Sequence, residues 1–404
     1  MKLSEWLASI STNEWTIFIK RLSANDTGAT KSHQVGVYIP EEVIRAAFPK
    51  LNNTAERNPD HIFISKVESH DCKEQELRAI YYNNKFFDGT RNEKRITRWN
   101  TDTDYNPVQD PESTGSLTIF AFHRHEGHNS NYLKVWVCRN PTEEDETESQ
   151  IGEILPGTWM LNSGDTLFSN YQALRAGDYL YGIPDEWKTR FPSGEEISSY
   201  VINNNPHPRL SPDELIVTWR KEEFSIFSKI EDIHVQEQIA LAMQNGADSA
   251  TKDAFIALAN SILNRRKSRS GRSLELLLGN IFPRFGLAEF SAQAITENNK
   301  RPDFIFPSII QYHNMDYPAN RLRMLAVKTT CKDRWRQVLN EADRLNGNIH
   351  LFTLQEGVSI NQFNEMREHG VHLVVPKPIH TKYPKDIQNE LMSLNGFIES
   401  TKKL

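Results

Sequence analysis

RPDFIFPS at residues 301–308 and LAVKTTCKDRWRQVLNEA at residues 325–342 are the two stretches that decide the fold of this chain. Pro302 and Asp303 open a short apolar strand in the first stretch, and Lys328 ends a strand in the second. A helix is predicted after Lys328, because apolar residues recur there at helical spacing. Its apolar stripe consists of Trp335, Val338, Leu339, Ala342 and Leu345. Strands and helices in this succession predict an α/β domain.

Three side chains of these stretches can share one site. Asp303 precedes one strand, Lys328 ends the next, and Glu341 lies on the helix that follows, so the three can converge at one edge of a sheet. Two carboxylates can hold Mg²⁺, a hard cation that prefers oxygen ligands. The metal would polarise a phosphate and acidify a bound water, and a lysine ammonium stabilises developing negative charge. These residue types therefore indicate hydrolysis of a phosphodiester.

The spacing of these residues is a weak signal when it is taken alone. A Pro–Asp pair before a strand is commonly a turn, and a lysine at a strand end commonly faces solvent. The common nuclease arrangement also places an acid two residues before the lysine, where this chain has Ala326. Glu341 would therefore have to supply the second carboxylate.

The overall composition excludes several classes of protein. The chain has 404 residues, of which 38% are hydrophobic and 25% charged, and this length suits two or three domains. No apolar run approaches the ~18 residues of a membrane span, and Glu5 and Glu14 interrupt any signal-like N-terminus. The three cysteines, Cys72, Cys138 and Cys331, form no CxxC pair, which excludes a cysteine-rich zinc site. We expect a reducing, cytoplasmic location.

The pattern along the chain predicts two domains and a hinge. Over residues 1–175, short β-branched and aromatic runs alternate with turn-rich pieces, which is typical of a small barrel or sandwich. Residues 176–205 are rich in Pro and Asn, which predicts a linker. The stretch EEISSYVI inside it could form a short helix. Residues 206–404 form the α/β domain.

Charge is segregated along the chain. The net charge of −6 alone does not favour nucleic acid. Residues 141–148, PTEEDETE, hold five acids and no base, whereas residues 265–272, RRKSRSGR, hold five bases and no acid. Local charge steers a polyanion better than the global sum does. The basic run is a candidate for phosphate contacts, although a solvated helix end is the usual role of such a run.

Six longer stretches, distributed over nearly the whole chain, resemble a known protein family. They are KRLSANDTGAT (20–30), HQVGVYIP (33–40), TRNEKRITRW (90–99), NRRKSRSGRSLEL (264–276), KRPDFIFPS (300–308) and RMLAVKTTCKDRWRQVLNEAD (323–343). In these stretches the chain closely resembles the EcoRII family of type IIE restriction endonucleases, which belongs to the PD-(D/E)xK nuclease superfamily.

The resemblance implies a C-terminal nuclease domain with a central mixed sheet flanked by helices. Its second acid has moved to the helix in a Lys-x12-Glu pattern, which Lys328 and Glu341 match, so Ala326 is expected. Asp303, Lys328 and Glu341 would be catalytic, with Mg²⁺ held by the two acids, and Glu275 matches a further glutamate near the active site. The implied activity is Mg²⁺-dependent cleavage of double-stranded DNA at 5'-CCWGG, before the first C, by a homodimer.

The resemblance also implies how DNA is read. Lys332, Asp333 and Arg334 match a triplet with which related enzymes read the CC:GG half-site, and their groups suit a G·C step. Tyr312 lies beyond the PD motif as a possible neighbour of the site. The expected phosphate contacts in the basic run are Arg265, Arg266, Lys267, Arg269 and Arg272.

The N-terminal domain resembles a B3-like DNA-binding pseudobarrel that binds a second copy of the site as an effector. Its expected contacts to effector DNA are Lys20, Arg21, His33, Tyr38, Arg91, Asn92, Glu93, Lys94 and Arg95. The family implies that this domain masks the nuclease until effector DNA binds. The two-fold axis of a five-base-pair site passes through its central pair, and the family flips both central bases into protein pockets.

Two other functions remain as alternatives. One is a catalytically silent, sequence-specific DNA-binding regulator with the same two domains, which would not need the intact catalytic residues. The other is a Mg²⁺-dependent nuclease of different specificity, which would keep those residues and change positions 332–334. A magnesium-dependent digest of plasmid DNA tests the first alternative, and a map of the cleaved ends tests the second.

Overall fold

The computed structural model describes residues 1–30, 36–90, 92–100, 105–155, 157–164, 182–244, 269, 271–332, 334–339, 341, 343–345 and 349–404. These residues build two sheets, one in each half of the chain, with hydrophobic cores of their own. Within these ranges, no helix is both long and apolar enough to span a membrane.

The N-terminal sheet has eight strands in the order β2-β5-β4-β3-β7-β6-β1-β8. The strands are β1 (Trp15–Arg21), β2 (Val37–Tyr38), β3 (Asp60–Val67), β4 (Gln75–Asn83), β5 (Asn92–Thr97), β6 (Leu117–His123), β7 (Tyr132–Val137) and β8 (Trp159–Ser163). All neighbours are antiparallel except β3 and β7. The accompanying helices are α1 (Leu3–Ile10), α2 (Glu41–Ala47) and α3 (Pro141–Ile151).

Alternation along the strands buries both faces of this sheet. In β1, Ile17 and Ile19 enter one hydrophobic core and Phe18 enters the other, because successive side chains of a strand point to opposite faces. Helix α1 covers the first core, where the ring of Trp6 packs 5.4 Å from that of Trp136. The N-terminal half is therefore mostly β, as the sequence predicts.

The acidic run forms helix α3, which the sequence analysis does not predict because the run lacks an apolar stripe. The Asn140 side chain caps the helix by accepting the Glu143 backbone N–H at 3.1 Å. Arg21 of β1 donates to Glu144 at 2.9 Å and to Glu148 at 2.7 Å. Burial alone would lower the pKa of Arg21, but the two glutamates outweigh it and raise that pKa. The arginine therefore fixes α3 to the sheet.

The C-terminal sheet has the order β13-β12-β11-β10-β9 and is mixed: β11, β12 and β13 are parallel, and β9, β10 and β11 are antiparallel. The strands are β9 (Ser291–Ala292), β10 (Phe304–Phe306), β11 (Arg323–Val327), β12 (Ile349–Phe352) and β13 (Val371–Val374). The helices are α4 (Glu186–Thr189), α5 (Gly194–Asn204), α6 (Pro212–Gln244), α7 (271–284), α8 (Ile309–His313), α9 (Trp335–Val338), α10 (Ile360–Glu368) and α11 (Leu394–Thr401). This confirms the predicted mixed sheet with flanking helices.

The segment predicted as a linker packs into the C-terminal domain where the structure describes it. Trp187, Ile197 and Val201 are buried in the same core as the C-terminal sheet, and the rings of Trp187 and Tyr200 lie 5.0 Å apart. Helix α5 contains the predicted EEISSYVI helix and begins with a capping box at Ser193. Residues from Trp187 onward are therefore a layer of the nuclease domain and not a free connection.

The helix predicted after Lys328, with its apolar stripe from Trp335 to Leu345, is shorter in the structure. Helix α9 is a single turn, a 3₁₀ turn follows at Asp343–Leu345, and Glu341 lies in a bend between them. The Thr296 hydroxyl donates to the Glu341 carbonyl at 2.7 Å, so a tertiary contact satisfies an oxygen that a continuous helix would bond internally. Of the predicted stripe, Trp335, Val338 and Leu345 are buried, and Ala342 lies outside the described residues.

Candidate active site

Asp303 and Lys328 meet because β10 and β11 are antiparallel neighbours. Asp303 precedes β10 and Lys328 follows β11, so the two residues lie at the same edge of the sheet. The Lys328 Nζ is 4.0 Å from the Asp303 Oδ2. The Val327 backbone N–H donates to the same oxygen at 2.7 Å, which fixes the carboxylate beside the strand end.

Glu275 of α7 joins the site through a glutamine. The Glu275 Oε2 accepts hydrogen bonds from Arg272 at 3.0 Å and from the Gln293 amide at 2.9 Å. The same Gln293 nitrogen donates to the Asp303 Oδ1 at 2.8 Å. One side chain therefore connects the two carboxylates, and the structure brings Glu275 to the predicted catalytic residues.

Glu341 completes the group from the bend after α9. Its Oε2 is buried and has no hydrogen-bond partner among the described residues. Burial raises the pKa of Glu341 to about 7, while Lys328 lowers it in part and Asp303 raises it further. A buried carboxylate oxygen such as the Glu341 Oε2 normally has a hydrogen-bond or metal partner. A bound cation would supply one.

The other two acids have raised pKa values for related reasons. Burial raises the pKa of Asp303, opposed chiefly by the charge of Lys328. Burial also raises the pKa of Glu275, and the charge of Asp303 adds to that effect. Acids in a dry site resist simultaneous ionisation, and a bound cation reverses this preference.

The residues present fit Mg²⁺. No cluster of three or more His, Cys, Asp or Glu side chains suited to a metal ion occurs in the part of the chain that the structure describes. Mg²⁺ commonly binds through one or two carboxylates and keeps several waters. Asp303 and Glu341 supply two carboxylates beside Lys328, and the unpartnered oxygen of Glu341 is a hard ligand of the required kind.

The cavity at this site is shared between the two domains. Its volume is about 300 Å³, which suits a small molecule and not a DNA duplex. The N-terminal domain contributes the lining residues Arg21, Asp145, Glu148, Ser149 and Glu153, and the nuclease domain contributes Gly271, Glu275, Val327, Lys328, Thr329, Thr330 and Arg334.

Two of the three predicted base-reading residues contact the N-terminal domain. The Lys332 Nζ donates to the Ser116 hydroxyl at 2.6 Å. Arg334 donates to the Asp145 Oδ1 of α3 at 2.5 Å. Asp333 lies outside the described residues. The side chains expected to read guanine are therefore occupied by partners within the chain.

A buried ion cluster joins the domains at a second place. Arg220 donates to both carboxylate oxygens of Glu153 at 2.8 and 2.7 Å, and Arg269 donates to Glu153 at 2.8 Å. Both arginines also donate to Glu223, at 2.8 and 2.6 Å. All four side chains are buried. Two carboxylates thus balance two guanidinium groups, and one of these carboxylates belongs to the N-terminal domain.

The burial of Arg269 corrects one expectation about the basic run. Arg269 is 6% exposed, so its guanidinium cannot reach a DNA phosphate while Glu153 and Glu223 hold it. Arg272 of α7 is exposed at the surface and pairs with Glu275. Arg265, Arg266 and Lys267 lie outside the described residues.

Two of the expected effector-DNA residues are buried. Arg21 lies beneath α3, and Arg95 donates to the Gly36 carbonyl at 2.5 Å and to Glu93 at 2.6 Å. Because Arg21 and Arg95 are both less than one-tenth exposed, they hold strands and loops together in this state and do not offer their guanidinium groups to DNA.

The remaining effector residues are more accessible or already paired. Tyr38 is 45% exposed, Lys20 pairs with Asp26 at 2.7 Å, and Lys94 pairs with Glu41. The Asn92 side chain accepts the Lys85 backbone N–H. His33 and Arg91 lie outside the described residues. The binding of effector DNA by the N-terminal domain stays a prediction.

Tyr312 supports the site from behind. It is buried, and its hydroxyl donates to Glu297 at 2.7 Å. Glu297 follows Thr296, which holds the Glu341 carbonyl. Tyr312 therefore stabilises the segment that positions Glu341 and does not line the cavity.

Sequence reasoning missed three residues that matter for this geometry: Gln293, Asp145 and Glu153. The charge of the acidic run was the available signal for Asp145, because acids without local bases need basic partners elsewhere. Gln293 and Glu153 belong to no recognisable sequence motif, and only the packing of distant segments shows what they contact.

Two family models and a curated relative all match this chain to EcoRII restriction enzymes. A family model described as "Restriction endonuclease EcoRII, N-terminal" matches residues 11–165, and one described as "EcoRII C terminal" matches residues 227–398. The chain is 48% identical over 395 residues to the Type II restriction enzyme EcoRII of Escherichia coli, which covers 97% of this chain and 95% of the relative.

Two solved structures of Ecl18kI, both metal-depleted, are also similar. The complex with uncleaved, modified DNA has a TM-score of 0.44 at 19% identity and covers 54% of this chain and 80% of its own. The complex with uncleaved DNA has a TM-score of 0.42 at 17% identity and covers 55% of this chain and 84% of its own.

We expect Glu153→Gln to separate the two domains. The substitution leaves Arg220 and Arg269 buried with one carboxylate fewer, and breaking a buried charge pair costs about 3–5 kcal/mol. The domains avoid that cost by parting, so the radius of gyration from small-angle X-ray scattering should increase. Asp185→Asn, which removes an exposed pair with Lys188, is the control. An unchanged radius and melting temperature for Glu153→Gln would contradict the role of the cluster.

Proposed function

The chain belongs to the EcoRII family of type II restriction enzymes and is a site-specific deoxyribonuclease, and from this premise we propose that it hydrolyses double-stranded DNA at 5'-CCWGG, before the first C, with Mg²⁺ as cofactor. The observation that carries the proposal is the convergence of Asp303, Lys328 and Glu341 at one sheet edge. The Lys–Asp–Arg triplet at residues 332–334 supports the choice of site.

Each residue of this group has a role that its surroundings suit. Asp303 and Glu341 would hold Mg²⁺, which when bound polarises the phosphate and acidifies a water. Lys328 stabilises the negative charge that develops on the phosphate. Glu275 is connected to Asp303 through Gln293 and keeps the negative charge of the site concentrated beside the strand end.

Base recognition would use the residues that follow the catalytic strand. Lys332 and Arg334 can donate to the O6 and N7 atoms of guanine, and Asp333 can accept from the N4 of cytosine. Lys267 and Arg272 of the basic run would contact phosphates, which position the duplex without reading its sequence.

We propose that a homodimer cuts both strands. The described residues hold one catalytic group per chain, while a duplex has two strands to hydrolyse. The two-fold axis of a homodimer on CCWGG passes through the central pair, which cannot look the same to both subunits. Flipping both central bases removes this conflict, and the unstacking costs only a few kcal/mol at a weak A·T pair.

We also propose that the N-terminal domain masks the nuclease. This domain would be a B3-like pseudobarrel, and it would bind a second copy of the site. Asp145 pairs with Arg334, and Ser116 accepts from Lys332, so the N-terminal domain occupies two proposed base readers. Helix α3 also lines the small shared cavity. Effector DNA bound at the N-terminal domain would favour a separated arrangement, which couples two distinct sites.

Lys328→Ala should abolish Mg²⁺-dependent cleavage, because the charge that develops on the phosphate then has no ammonium beside it. Specific DNA binding in EDTA should survive, since the proposed base and phosphate contacts lie elsewhere. Gel-based cleavage and fluorescence anisotropy measure the two properties. Lys188→Ala, at an exposed surface pair, is the control. Substantial cutting by Lys328→Ala would contradict the assignment of the active site.

Base-reading and phosphate-contacting residues should respond differently to substitution. Arg334→Ala should lose about 1–3 kcal/mol of discrimination between CCWGG and a variant site. Lys267→Ala should weaken binding to all sequences alike and reduce the salt dependence by about one unit. Binding isotherms at several salt concentrations on both duplexes measure these effects. Identical profiles for the two variants would refute the division of roles.

Removal of the mask should release activity on DNA with one site. A chain without residues 1–175 should cut single-site DNA faster than the intact chain, which should respond to an added short duplex bearing the site. Asp145→Asn should act in the same direction, because it frees Arg334, whereas Asp185→Asn should not. The single-site cleavage rate with and without the added duplex is the measurement. Equal rates for the intact and shortened chains would remove the proposal of masking.

A further inference from the structure

We propose that Gln293 is a positioning residue of the nuclease, which holds Glu275 beside Asp303 so that the acidic group is assembled before the cation binds. The proposal rests on the proposed role of Asp303 as a metal ligand. Neither the sequence motifs nor the family resemblance draws attention to this glutamine, because it lies between α7 and β10 and outside both decisive stretches.

The side-chain amide nitrogen of Gln293 donates to both carboxylates. Its Nε2 lies 2.9 Å from the Glu275 Oε2 and 2.8 Å from the Asp303 Oδ1. A primary amide has two N–H donors, so each carboxylate receives one. A single nitrogen atom therefore joins a residue of α7 to the residue that precedes β10.

The backbone of Gln293 is held as closely as its side chain. Its N–H donates to the Asp303 carbonyl at 3.1 Å, immediately beyond the pairing of Ala292 with Phe304 in the sheet. Its φ of +51° lies in the left-handed region, which glutamine rarely adopts and which persists only where the surroundings impose it. Side chain and main chain thus bind the same aspartate, and a strained backbone is retained to do so.

A neutral donor suits this position better than a charged one. The buried Asp303 and the partly buried Glu275 repel each other when both are ionised, and the hydrogen bonds from Gln293 lower the pKa values of both, against the raising effect of burial. A lysine or arginine at the same place would neutralise the acids permanently and compete with a metal ion. An amide orients the oxygens and leaves their negative charge for the cation.

The decisive variants are Gln293→Asn and Gln293→Met. Asparagine tolerates the left-handed backbone better than glutamine does but is one methylene too short to bridge the acids. Methionine keeps the length and removes both donors. Gln388→Asn is the matched control, because it makes the same change at a glutamine that donates to the Tyr383 carbonyl at 2.7 Å.

Two readouts on the full chain test the role. The first is Mn²⁺ binding without DNA, followed by the electron paramagnetic resonance of the free ion. The second is the Mg²⁺ concentration that gives half of the maximal single-turnover cleavage rate on DNA with two sites. Both Gln293 variants should weaken Mn²⁺ binding and raise the Mg²⁺ midpoint by roughly tenfold or more, as loss of a ligand's supporting hydrogen bond does. The melting temperature of Gln293→Asn and the values of Gln388→Asn should match the unsubstituted chain.

Other outcomes decide against the proposal in distinguishable ways. If the Gln293 variants lose rate equally at all Mg²⁺ concentrations, with Mn²⁺ binding unchanged, the residue is only structural. If they match the unsubstituted chain in both readouts, the bridge has no role. Asp303→Ala separates the two proposals: unchanged Mn²⁺ binding in that variant would overturn the metal assignment and the Gln293 proposal with it.

Discussion

The guanidinium groups of Arg220 and Arg269 lie buried between the two domains, and the carboxylates of Glu153 and Glu223 balance their charge. Removing one partner from such a group leaves a charge without compensation in a medium of low dielectric, which is strongly destabilising. A chain that covers its own basic residues must therefore supply acids to them. Glu153 supplies one from the N-terminal domain, and the arrangement of the two domains depends on it.

At the nuclease site the uncompensated charge is negative instead of positive. Asp303 shares the Gln293 amide with Glu275 and interacts electrostatically with Glu341, and burial raises the pKa of each of these three acids. Lys328 and the Gln293 amide compensate for part of this negative charge. The remaining imbalance is what makes the site suited to a divalent cation. A site that were fully neutralised by protein groups would be more stable without metal and would bind metal less well.

Helix α3 makes further charged contacts within the N-terminal domain and with the nuclease domain. Its first-turn acids suit a helix N-terminus, Arg21 fixes it to the N-terminal sheet, and Asp145 remains to pair with Arg334. The carboxylate thus meets a side chain that is proposed to contact DNA, so DNA and α3 would compete for one arginine. If a DNA group replaced Asp145, the Arg334 guanidinium would keep an electronegative partner in both arrangements.

The sequence by itself determined the parts that local pattern controls. Apolar runs and their ends predicted β10 and β11, and strand ends at Asp303 and Lys328 placed those residues at one edge of a sheet, because neighbouring strands align their ends. It did not determine the length of α9, the bend at Glu341, the burial of Arg269 and Arg95, or the bridge made by Gln293. A periodic apolar pattern can be recognised from residues that are close together in the sequence. The partner of a charged or amide side chain, in contrast, comes from a segment far away in the chain. Those contacts exist only once the sheet, α7 and the N-terminal domain have packed together, and for that reason the tertiary structure alone decided them.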